Sequence, residues 1–277
     1  QTIKNNMRLR FILLIALNVL LTKSYGSSDN HLFGGRAAGM GNAAVTLYDF
    51  WAVSHNQAGL ARIDRPAAGV YFENRFMAEE LSLGAGAFVL PTKSGIFGLS
   101  FNIFGFELYN ETKVGLAYAR TFGQRLSAGL QLNYNNTFIA NDYGSAGNLT
   151  FEAGIIFEII PELNIGVHVF NPTATLLSNY TDDRIATVIR TGASWKFSEK
   201  VFVIIETEKS GNHDPVFRSG IEYHITDPIY IRAGIGTKPT TNSFGFGLAL
   251  GRLNMDIAAS YHHVLGYSPQ IGFVYQF

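Results

Sequence analysis

Fourteen segments of about ten residues, each alternating apolar and polar side chains, fill the chain from residue 67 to its terminal phenylalanine. They are 67–77, 80–90, 95–105, 110–121, 125–137, 148–159, 162–171, 183–197, 200–209, 215–225, 228–237, 241–251, 253–263 and 268–277. A tilted strand needs that length to cross the hydrocarbon of a bilayer. Tight turns join the segments in pairs, as at Pro91–Gly95, Phe122–Gln124, Ile160–Pro161, Phe197–Lys200, Thr226–Pro228 and Gly251–Arg252. Longer connections, such as 138–147 and 172–182, lie between the pairs. Both ends of the array fall on the short-turn side. The pattern predicts an all-β fold, a fourteen-stranded antiparallel transmembrane barrel over residues 67–277 with both strand ends periplasmic. A soluble sandwich does not usually supply fourteen strands to one sheet.

Parity sorts the two faces. In 215–225, Phe217, Ile221 and Tyr223 oppose Arg218, Glu222 and His224; in 228–237, Ile229, Ile231 and Ile235 oppose Tyr230 and Arg232. Aromatic residues make up 13% of the chain, which suits a lipid face with interface girdles, here Trp195, Tyr223, Tyr261 and Tyr275. Lys and Arg number 21, as do Asp and Glu, so no basic field is available to neutralise phosphates and nucleic-acid binding is excluded. With no cysteine, disulfides, thiolate metal sites and lipidation at cysteine are excluded as well.

The N-terminal part of the chain is different in kind. Met7 reads as the initiator, and Arg8 and Arg10 precede the apolar run 11–21, too short to span a bilayer. Small residues near Ser24 and Gly26 complete a signal peptide over 1–26, so export to the bacterial outer membrane is expected. Residues 33–61 are small, Gly/Ala-rich and lack strand alternation. They predict a plug, or hatch, within 27–66, because a fourteen-strand lumen is too wide for its own wall side chains to fill. The spacing Gly39-x-Gly41-x-x-Ala44 matches a dinucleotide fingerprint only formally, since no strand precedes it and no βαβ unit follows.

Hairpin register brings inward charges together. Glu206 falls opposite Arg218, Arg190 falls near Glu206 and Glu208, and Glu222 falls near Arg232. These six residues predict a salt-bridge lattice on the lumen wall that satisfies buried charge, with a charged solute filter as the alternative. Seven scattered histidines show no zinc spacing or triad, so no enzyme and no cofactor are expected; adjacent His262 and His263 are expected to point opposite ways.

Gly35-Arg36-Ala37-Ala38-Gly39-Met40-Gly41-Asn42-Ala43, with Asn56-Gln57-Ala58-Gly59-Leu60, resembles the N-terminal signature of FadL-like outer-membrane proteins, most closely the PorV/PorQ branch of Bacteroidota. Gln57 stands where that signature has Pro. The resemblance implies a lumenal hatch with Gly35, Arg36, Gly39, Met40, Gly41, Asn56, Gly59 and Leu60 at the gate. It also implies passive uptake of a small hydrophobic solute; by inward parity Phe88, Phe170, Phe202 and Tyr230 are the candidates to line its route, the alternative being that they pack against the hatch. Ile156 and Ile204 are placed on the same inward parity. The partners implied are outer-membrane lipid and that solute, or, in an accessory role, proteins of type IX secretion or surface assembly.

Overall fold

The computed structural model describes residues 30–141, 144–176, 184–211 and 213–277; the expected signal peptide lies outside them. The strands are β1 Ala67–Asn74, β2 Ser82–Thr92, β3 Gly95–Phe106, β4 Tyr109–Phe122, β5 Leu126–Ile139, β6 Gly144–Ile160 and β7 Leu163–Phe170. They continue with β8 Val188–Lys196, β9 Val201–Ser210, β10 Val216–Thr226, β11 Ile229–Gly236, β12 Thr241–Leu250, β13 Leu253–His262 and β14 Gly266–Gln276. All pair antiparallel with their sequence neighbours, and β14 closes on β1 from Ala67↔Gln276 to Glu73↔Gln270. The fold is therefore the expected closed fourteen-stranded barrel. Closure leaves no edge strand to pair with another chain.

Two boundaries differ from the sequence reading. Most of 138–147 is strand, not loop, since β5 and β6 stay in register up to Ile139↔Gly144. Asn, Thr and Ser side chains there suit a ladder that continues above the membrane into water. His262 and His263 do not diverge; their rings stack at 4.9 Å, because His263 lies beyond the end of β13, where strand alternation no longer applies.

The outer wall is apolar, with Val70, Leu116, Leu130, Ile205, Ile235 and Phe244 all more than half exposed, which is the surface that hydrocarbon covers. Trp195, Tyr223 and Tyr275 face outward near the short-turn end and Tyr261 near the opposite end. Phe88 also faces outward, at 40% exposure and 6.5 Å from the Phe277 ring, against the inward placement its parity was given. Its neighbours Leu83 and Val89 face inward instead, where they pack on apolar residues of the N-terminal segment. Where both faces of a strand are apolar, alternation loses its marker.

Residues 30–66 run along the inside of this wall. They hold two short helices, α1 (Gly35–Gly39) and α2 (Ala52–His55), and a 3₁₀ stretch Gln57–Arg62. Helices this short are not stable by themselves, so tertiary packing holds them. Phe33, Phe50 and Trp51 form an aromatic cluster with Tyr71 of the wall, Phe33 meeting Trp51 edge-on at 5.8 Å. Met40, Leu47 and Leu60 are fully buried. Each such side chain contributes about 1.5–3 kcal/mol by leaving water.

Candidate functional site

The segment meets the wall where the wall has no side chains. A Cβ on Gly129 would run into the main chain of Gln57 and Ala58, and one on Gly154 into the Asn56 amide. On the far side, Gly220 and Gly234 receive the backbone of Met40. Gly41 takes φ +69°, the left-handed region that glycine enters without strain, and its Cα lies against the backbone of Ile235. Asn56 fixes the turn between. Its amide donates to the Val45 carbonyl at 2.6 Å, and its oxygen caps the 3₁₀ stretch by accepting from the Ala58 N–H. Gly59 is packed under Leu47 and Ala52, and Gly39 faces Gly245 and Arg232.

Three carboxylates tie the segment down. Glu222 receives Arg36 at 2.9 and 2.8 Å and Arg232 at 2.6 Å; Arg232 also reaches Asp256 at 2.5 Å, and Arg36 lies 3.5 Å from Asp49. Burial by itself would lower the pKa of Arg36, but the carboxylates of Glu222, Asp49 and Asp256 outweigh it and raise it above its ordinary value. Arg36 stays a cation.

Glu206 does more than hairpin register implied. One of its oxygens accepts the main-chain N–H groups of Ala44 and Val45, each at 2.8 Å. Arg218 stands 3.4 Å from the other oxygen and Arg190 4.0 Å. The closer partner of both arginines is Glu208, at 2.7 Å from Arg190 and 2.9 Å from Arg218. Glu206 is thus an anchor for the N-terminal segment as well as a member of the lattice.

Glu152 of β6 is the third hub, and sequence reasoning missed it. It is 0% exposed and takes Lys113 at 2.6 Å, Gln57 and Asn133 at 2.9 Å, with His168 Nε2 at 3.0 Å. Its inward parity was legible, but four of its partners lie on separate elements, so no single hairpin brings them together. Asp256 was missed for the same reason.

The expected solute-lining residues do not share one route. Phe170 packs with Ile185 and Val188 near the end opposite the short turns, and Phe202 lies under Arg36 against the Met40 cluster. Tyr230 lines a cavity of about 360 Å³ between the segment and the wall of β10–β14, together with Arg36, Asp49, Phe50, Trp51 and Glu222. That volume is in the range of small-molecule sites. Residues Ala67, Leu248, Asn254 and Gln276 place the cavity toward the short-turn end. It combines aromatic walls with one charged side.

A barrel with an apolar outer wall, short turns at the end holding both strand termini, and a lumen occupied by its own N-terminal segment is of the outer-membrane type. No protein-family model matches the chain, and no curated protein matches its sequence. Solved structures do share its fold. The monoaromatic hydrocarbon channel CymD superposes with TM-score 0.70 at 13% identity, covering 88% of this chain and 97% of that one. The Ralstonia pickettii toluene transporter TbuX does so with TM-score 0.69 at 12% identity, over 88% and 98%. A Pseudomonas aeruginosa FadL homologue matches with TM-score 0.59 at 12% identity, over 92% and 98%. The fold is that of FadL-type barrels.

Proposed function

We propose that this protein is an outer-membrane channel for passive uptake of a small hydrophobic solute, with residues 27–66 as the hatch that gates it. The observation that carries this reading is the cavity beside Arg36. Phe50, Trp51 and Tyr230 offer apolar walls to a solute, while the Arg36–Glu222 pair lines the charged side of that space. Arg36 is 24% exposed, so water already reaches this anchor of the hatch on the cavity side, as it also reaches the Arg62–Glu158 pair on β6. The fold shared with hydrocarbon and toluene channels supports the same reading. The six lattice residues, with Glu152 and Asp256, hold the hatch in place and do not select solute.

The test is solute entry into liposomes carrying the purified barrel, with toluene as probe, alongside single-channel conductance. Arg36→Gln is expected to raise both, because the hatch loses its anchor on the cavity side. Deleting residues 28–60 is expected to raise conductance further. Unchanged conductance and no toluene entry in a folded, heat-modifiable deletion would defeat the channel reading and favour a non-transporting accessory role.

A further inference from the structure

The outward parity of the fourteen strands carries only two charged side chains among the described residues, Lys209 and Arg120. Lys209 lies at the end of β9 away from the short turns and donates to the His213 carbonyl. Arg120 is different. It lies on the outer wall near the short-turn end of β4, exposed, and no described residue engages its guanidinium in an ion pair or hydrogen bond. It stands two residues before Phe122, roughly 5 Å from the hairpin end at about 3.3 Å per residue and a tilt of 35–45°. At that depth a long basic side chain reaches the headgroup layer.

Arg120 also borders a trough in the outer wall. The trough has a volume of about 430 Å³, runs across β4 to β7 and is apolar apart from this one cation. Its shape comes from small residues. Ala128 stands beside Arg120, and Ala153 beside Leu130, so the wall is low there, while Tyr118, Phe122, Leu130 and Ile155 rise around it. The tight 123–125 turn carries a second exposed cation, Arg125, at the same end of the barrel.

We propose that this trough binds one anionic phospholipid of the periplasmic leaflet, its acyl chain along Ala128 and Ala153 and its phosphate on Arg120. An acyl chain matches the apolar floor, and a phosphate matches an unpaired guanidinium, which takes two of its oxygens at once. The leaflet follows from topology: the short-turn end, where both strand termini lie, is the periplasmic end. A basic side chain at an anionic lipid surface contributes preference for acidic over zwitterionic headgroups.

The experiment is native mass spectrometry of the full barrel released from nanodiscs of mixed phosphatidylglycerol and phosphatidylethanolamine. The wild type is expected to retain one phosphatidylglycerol in preference to phosphatidylethanolamine. Arg120→Gln is expected to reduce that preference about fivefold, the effect of one basic residue near an anionic surface. Ala153→Leu, or Ala128→Leu if the first folds poorly, is expected to lower retention of both lipids with Arg120 intact. Lys209→Gln is expected to change nothing. Equal retention of both headgroups by the wild type, or unchanged retention when the trough is filled, would overturn the proposal. So would loss of the bound lipid to toluene at concentrations that leave the Arg120→Gln protein unaffected, because the trough would then be a solute site.

Discussion

The N-terminal segment is held on two sides by different physics. On the β4–β6 side, Asn56 to Leu60 lie flat on glycine, and beneath them Glu152 is sealed from water with Lys113, His168 and Gln57. On the β10–β13 side, Arg36 of α1 reaches Glu222 across the rim of a cavity and keeps a quarter of its surface open. A dry, backbone-close contact resists opening, because separation exposes unpaired polar groups. The Arg36 guanidinium already meets water, and buried Glu222 keeps Arg232 when Arg36 leaves, so releasing this contact strands fewer polar groups. On the proposed channel reading, the Asn56–Leu60 contacts are the fixed part of the hatch and the Arg36 contact the part that moves, with the wet Arg62–Glu158 pair at the margin of the fixed part.

Breaking the dry side is expected to have the largest effect. Glu152→Ala strands Lys113 and the other donors in the lumen. It should cost about 3–5 kcal/mol, the range for a broken buried pair, read as a lower urea midpoint in detergent. Glu206→Ala is expected next. It leaves the N–H groups of Ala44 and Val45 without their acceptor, at about 1–3 kcal/mol for each buried group, whereas Glu206→Gln keeps an oxygen there and should lose less. If the two variants lose equally, charge matters more than the acceptor.

Gly154→Ala sharpens the claim of close approach. Its Cβ would displace the Asn56 amide, and overpacking of this kind costs about 1–3 kcal/mol, measured by the same midpoint. A second change, Asn56→Ala, should recover part of that loss if the clash is its cause. The smallest stability effect is expected for Arg36→Gln, about 1 kcal/mol, since Gln can still donate one hydrogen bond to Glu222, which also keeps Arg232. Its effect should appear instead in solute entry. A large stability loss with unchanged entry would reverse the assignment of fixed and moving sides.

Strand number, the tight turns at one end and the inward parity of the charges follow from the sequence alone. A period of two is strict, and a tight turn sets the register of the strands it joins. That is why Arg218↔Glu206 and Glu222↔Arg232 were legible as pairs. Phe88 was not legible, because an apolar segment packed inside the barrel makes both faces of β2 hydrophobic. The tertiary structure alone decided what Glu206 and Glu152 hold. Their partners include Val45 and Gln57, 161 and 95 residues away in the chain, and closing the barrel around its own N-terminal segment is what brings them within hydrogen-bond reach.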